Sequence, residues 1–252
     1  MLLVTAALSE ELNVATALCK RPARVDCAGV RLLRAVAASG TVCLLKTGVG
    51  PERAASRLEL VLRQLQPEEI LTVGYAGALD PGLRIGDLII AQRASLLGTP
   101  DNGMRTLDEL VLSGSWSLSP VARLEAAAAQ AGLTPRSGAI LTSRHIIGDP
   151  AQKQLLYRKF GATVVDMETG ALARTAAARG VPYGCVRAIS DEAADEFLAP
   201  VSYDPSSGPL SRVVKAALAG NWLRGYRQWR ERAEAARNTL RMFLEHYLRR
   251  AQ

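Results

Sequence analysis

The sequence predicts an α/β domain whose sheet is covered by helices on both faces, followed by a C-terminal helical extension. Three observations carry that expectation. Short apolar, β-rich runs alternate with amphipathic stretches, the pattern of strands buried between helices. A strand ending at Thr47 runs into Gly48-Val49-Gly50-Pro51. Proline suits the first position of a helix, because the N–H it lacks has no helical partner there. Near the end, Ala236, Leu240, Phe243 and Tyr247 recur at helical spacing and form one face.

In chain order, strands are expected at Leu2–Ala7, Arg31–Val36, Val42–Thr47, Ile70–Gly74, Asp87–Gln92, Ser137–Leu141, Thr163–Val165 and Tyr183–Ile189. Helices are expected near Glu10–Leu18, Pro51–Leu65, Val121–Gln130, Ala151–Lys159 and Met167–Arg179. Ser9 is placed to cap the first of them. Ala94 to Pro120, polar and Gly/Ser-rich in places, reads as an excursion, and Pro200 to Pro209 as a mobile loop. No internal repeat is present. The domain is expected to span residues 1–220 and the extension 221–252.

A chain of 252 residues with 22% charged residues and a mean hydropathy of +0.07 can bury a core without disulfide or metal staples. Its apolar runs are far shorter than the ~20 residues of a spanning helix. Met1 to Leu8 lack a basic leader and run into Glu10 and Glu11, which suits a buried first strand rather than a signal peptide. The four cysteines form no CxxC pair, which speaks against a zinc site and a secreted disulfide framework and makes the cytoplasm the expected compartment.

The formal net charge is +7, and most of it lies in residues 221–252, where eight arginines face three glutamates. A nucleic-acid enzyme would carry a basic groove with aromatics on its main domain, so no nucleic-acid partner is expected. The tail is expected to pack as a helix with a solvated arginine face. The alternative is a basic amphipathic helix resting on an anionic membrane or a partner. Gly48-Val49-Gly50 is half of a dinucleotide fingerprint, but Arg53 stands where the third glycine belongs.

Carboxylates recur at predicted strand ends. Glu10 and Glu11 follow the first strand, Asp166 and Glu168 flank Met167, and Asp191 follows Arg187-Ala188-Ile189-Ser190. The first two pairs are explained locally by the preference for acids in a first helical turn, whereas Asp191 simply ends a buried strand. In an open α/β sheet, however, ligands bind at the carboxyl ends of strands. With no metal-ligand cluster and only two histidines, carboxylate acid–base work is the natural chemistry. Gly74, Ala76 and Gly77 end another strand and leave room for a planar ring against the backbone, or simply make a tight junction.

Five motifs in order, Ala7–Glu11, Lys46–Gly50, Val73–Asp87, Val165–Ala171 and Arg187–Asp191, make the chain resemble the purine nucleoside phosphorylase/uridine phosphorylase superfamily. Within it, the chain is most similar to the methylthioadenosine/S-adenosylhomocysteine nucleosidases and the hopanoid-associated nucleoside phosphorylases. The resemblance implies a three-layer fold with a mixed, partly closed sheet, a homodimer, and cleavage of a purine N-glycosidic bond without metal or organic cofactor. It assigns Asp191 as the acid that protonates the departing purine, a state that burial favours, with Ser190 steadying it. It gives Glu168 the ribose hydroxyls, places Met167 beneath the sugar, and has Glu11 with Arg187 position the attacking water.

In the same resemblance, Thr72 stands where the phosphorylases have a phosphate-binding arginine, and Glu11 where they lack a glutamate; both favour water over phosphate. The loop Ser143–Pro150 would cover the purine with Ile146 and Ile147, Ile146 replacing the usual phenylalanine, and Tyr75 would narrow the site. The expected reaction is hydrolysis of a 5′-substituted adenosine to release adenine. The alternatives are phosphorolysis, including that of an adenosyl-hopanoid-like lipid, futalosine-type hydrolysis, and a binding module that has lost catalysis.

Overall fold

The computed structural model describes residues 1–98, 109–196 and 222–249, with side chains of the last helix described from residue 231. The chain opens with β1 (Leu2–Ala6), α1 (Ser9–Ala17), β2 (Lys20–Cys27), β3 (Val30–Ala37) and β4 (Gly40–Lys46). There follow α2 (Pro51–Leu62), β5 (Glu69–Ala78), β6 (Leu88–Gly98), β7 (Val111–Ser117), α3 (Val121–Gln130) and β8 (Arg136–Thr142). The remainder comprises α4 (Pro150–Phe160), β9 (Val164–Asp166), α5 (Thr169–Ala178), β10 (Tyr183–Asp191) and α6 (Trp222–Tyr247).

All the strands join one mixed sheet in the order β10-β6-β8-β9-β5-β1-β4-β3-β2, with β7 on β6. At its heart β4, β1, β5 and β10 run parallel, and β1 and β10 are buried on both faces, as their unbroken apolar runs require. Because β10 pairs with both β5 and β6, strands β10, β6, β8, β9 and β5 close into a ring. Short β9 lies antiparallel across the end of β5, with Val165 opposite Gly77. The carboxyl ends of β1, β5 and β10 and the end of β9 therefore meet in one place, where an α/β sheet offers its ligand crevice.

The sheet separates two core layers. On one side Leu58 and Val61 of α2 and Leu172 and Ala176 of α5 pack with Leu3, Ile70 and Ile189. On the other, Val14, Leu124 and the α6 residues Ala236, Leu240, Phe243 and Leu244 pack with Val4, Val73 and Val186. A smaller cluster seats Leu156 of α4 on Leu141 and Val165.

Two strands were absent from the expected set. β2 is exposed along nearly its whole length and β7 alternates only weakly, so neither carries an apolar run. Ala94 to Gly98, expected in an excursion, continues β6, and β5 runs on to Ala78. Ser9 does not cap α1: it is the first helical residue, its hydroxyl accepts from Lys46 Nζ at 2.8 Å, and Glu11 reaches back to the Leu8 N–H instead. The Pro200–Pro209 segment and residues 99–108 lie outside the described residues, as do the ends of the 221–252 extension.

From residue 231 onward, the apolar side of α6 packs into the core. Ala236, Leu240 and Phe243 are fully buried, and Thr239 Oγ1 donates to the Gly86 carbonyl at 2.8 Å. Over these described residues that side is not available to lipid. Among the described residues, no helix is long and apolar enough to cross a membrane.

Candidate active site

At the meeting point of β1, β5, β9 and β10 lies a cavity of about 200 Å³ lined by Glu11, Tyr75, Ala76, Gly77, Ile146, Ile147, Met167, Glu168, Ser190 and Asp191. Ala7, Leu8, Val49, His145, Val165 and Asp166 complete its described wall. Four carboxylates thus share one small space, and among the described lining residues there is no lysine or arginine.

Each carboxylate is held by groups from another part of the chain. Glu11, on the first turn of α1, accepts the Leu8 N–H on Oε2 and the Tyr75 N–H on Oε1, both at 2.8 Å. Burial raises its proton affinity, and Arg187 and the two N–H donors work in the opposite direction. Glu168 accepts the Gly50 N–H at 2.9 Å, so the glycine turn before α2 faces a carboxylate. Burial, and then the neighbouring Asp166, push Glu168 up to about 8. Ser190 Oγ donates to Asp191 Oδ1 at 2.9 Å.

The small residues of β5 make this packing possible. A methyl group on Gly74 would stand 2.2 Å from Arg187 Nη1 and 2.5 Å from Glu11 Oε1; one on Gly77 would stand 2.9 Å from Asp191 Oδ2. Ala76 and Gly77 do lie on the cavity wall. Gly74 does not: it makes room for side chains rather than for a ligand ring, a correction to the wall expected from its spacing.

Arg187 is also placed differently from expectation. It is 1% exposed and does not line the cavity. Its Nη2 binds Asp166 Oδ2 at 2.5 Å and donates to Thr169 Oγ1 at 2.8 Å, and Glu168 Oε2 lies 4.0 Å away. Burial opposes its charge, but Asp166, Cys185, Glu11 and Glu168 around it outweigh that and keep it protonated. Nη2 is thus taken up by Asp166 and Thr169, while the buried Nε has no hydrogen-bond partner, and the guanidinium stands behind the carboxylates rather than on the cavity wall.

Asp166 and Lys153 were not among the expected site residues. Asp166 accepts from the Thr169 N–H and hydroxyl at the start of α5, from Thr142 Oγ1 at 2.6 Å and from Arg187. It is therefore both a helix cap and the counter-charge of a buried guanidinium. In the sequence it stands beside Glu168 as a strand-end carboxylate, and the resemblance assigns a role to Glu168 alone. Lys153 is wholly buried, and its Nζ lies 2.5 Å from Asp191 Oδ2. A signal existed: Lys153 falls on the same face of α4 as buried Leu156, three residues on, where a lysine is out of place without a partner. His145 lines the cavity as well, on a loop where Ile146 is 39% exposed at the mouth.

A second cavity, of about 560 Å³, adjoins the first through Ala7, Leu8 and Val49 and is lined by Arg31, Lys46, Arg53 and Arg57. Thr72, in contrast, is buried in the sheet with its hydroxyl 2.6 Å from that of Thr5.

Known proteins share this framework. A 5′-methylthioadenosine/S-adenosylhomocysteine nucleosidase of Staphylococcus aureus is 25% identical over 201 residues, covering 78% of this chain and 88% of that protein. A Helicobacter pylori nucleosidase variant solved with 5′-methylthioadenosine in its active site superposes with a TM-score of 0.75 at 18% identity, over 96% of this chain and 95% of that one. The futalosine hydrolase of Helicobacter pylori superposes with a TM-score of 0.73 at 17% identity, over 96% of each chain. At such identities these structures show a common fold. Residues 2–217 match the phosphorylase superfamily, well over half of the chain, and the protein belongs to that family.

Proposed function

We propose that this protein hydrolyses the N-glycosidic bond of a 5′-substituted adenosine and releases adenine. The observation that carries the proposal is the gathering of Glu11, Glu168 and Asp191, far apart in sequence, around one small cavity. The reaction passes through an oxocarbenium-like state, and fixed carboxylates stabilise the positive charge that develops on the sugar. Asp191, steadied by Ser190, gives a proton to the departing purine. Glu168 accepts the ribose hydroxyls, Met167 supports the sugar, and Ile146 and Ile147 cover the base. Glu11 holds and activates the water, and Arg187 fixes the carboxylates from behind. The nucleosidase relatives act in support of this assignment.

Water is preferred over phosphate because a dianion entering a cavity of four carboxylates meets no described lysine or arginine on its wall. Phosphorolysis is the second reading, favoured by the basic cavity next door. One assay separates them: adenine release from methylthioadenosine, followed with and without phosphate. Release independent of phosphate is expected; release only with phosphate establishes the second reading, and none under either condition refutes both.

The same resemblance supports a homodimer in which a neighbour closes each site, and the exposed Val111, Leu112 and Ile146 offer apolar surface to it. Four free thiols fit a reducing compartment, and a cytoplasmic location is part of the proposal.

A further inference from the structure

Lys153 stands out among the buried groups. It is 0% exposed, on the first turns of α4, and its ammonium has three protons and no acceptor capacity. All three protons are directed: to Asp191 Oδ2 at 2.5 Å, to the Glu192 carbonyl at 2.8 Å and to the Asp195 carbonyl at 3.2 Å. Two of these partners belong to the turn after β10, which Asp195 ties to α6 through Arg232 at 3.2 Å. Asp191 Oδ1 is taken by Ser190, and Gly77 packs closely against the carboxylate. Both oxygens of the acid are thus held, on a residue that lines the cavity.

We infer that Lys153 is a positioning residue that supplies Asp191 with the proton it delivers to the purine. The role rests on the proposed nucleosidase activity. An acid that must protonate a leaving group needs a proton in reserve, and Nζ and Oδ2 hold one between them. As the glycosidic bond breaks, its electron pair stays with the purine and a proton passes from Asp191 to a ring nitrogen. Asp191 takes a proton from Nζ in the same motion, which leaves Lys153 as a neutral amine. The water that adds to the sugar carbon loses a proton to Glu11; Glu11 then gives that proton to solvent and solvent returns one to Lys153, so the cycle closes without any co-reactant.

Two substitutions test the role. Lys153→Arg keeps a positive charge beside Asp191, but a guanidinium does not release its proton in a protein. Lys153→Gln keeps a hydrogen-bond donor without charge and serves where the larger arginine prevents folding. For whichever variant melts as a folded protein, turnover of methylthioadenosine and its dissociation constant are measured beside the wild type. The expected result is a kcat lower by about 100-fold, in the range of general-acid catalysis, with the dissociation constant within about threefold of wild type. A purely structural role would weaken binding along with turnover. A kcat within about threefold of wild type, or equal losses in turnover and binding, overturns the role of Lys153 alone. If the wild type itself releases no adenine, the proposed activity falls and this role with it.

Discussion

Glu168 is pulled in two directions. Burial and then Asp166 favour its neutral form, Arg187 and the Gly50 N–H favour its charged form, and the balance lies at about 8 against an ordinary 4.5. A carboxyl raised on folding contributes stability that is fully present below the unfolded value. It is lost as pH climbs through the folded value. Glu168→Gln removes that titration while keeping the shape. The unfolding free energy of wild type relative to Glu168→Gln should therefore fall between about pH 4.5 and pH 8 and level off above, with a slope of at most about 1.4 kcal/mol per pH unit. Glu11 is raised for the same reason but is present in both proteins, so it largely cancels. Urea denaturation at a series of pH values reads the difference, and a flat difference across that window contradicts the environment described for Glu168.

At the scale of elements, α6 shows how a helix with a strongly basic sequence becomes part of a core. Phe243 is fully buried and stacks on Tyr247 with ring centroids 5.6 Å apart. Tyr247 in turn bonds to Glu69 at the start of β5. Phe243→Ala should cost about 3–5 kcal/mol of stability, measured by denaturant unfolding. A loss under about 1 kcal/mol would mean that α6 is only loosely docked. This helix was legible in the sequence because an apolar stripe at helical spacing stands out among arginines. The edge strands β2 and β7 were not, since a strand that buries little writes no alternation into its residues. α4 was legible as a helix, with Asp149 capping Gln152 and Gly161 in the left-handed conformation after its end. What its buried lysine meets was not, because Asp191 lies 38 residues further along.

At the scale of the molecule, the ring formed by β10, β6, β8, β9 and β5 brings distant strand ends together. Carboxylates at strand ends were legible one by one in Glu11, Glu168 and Asp191, and the first two also had an adequate local explanation as helix-start residues. Their convergence depends on β9 lying across β5 and on the glycines of β5 letting side chains approach the backbone, neither of which residue spacing reveals. For the same reason Arg187 read as a cavity residue although its partners keep it behind the wall. The central claim is that this one cavity binds a nucleoside with its sugar among the three carboxylates. A crystal structure of Asp191→Asn soaked with methylthioadenosine tests it most directly. The account predicts ribose hydroxyls bonded to Glu168, the purine beside residue 191, and Glu11 one water away from the anomeric carbon; a nucleoside seated elsewhere, or with its sugar turned away from Glu168, would contradict it.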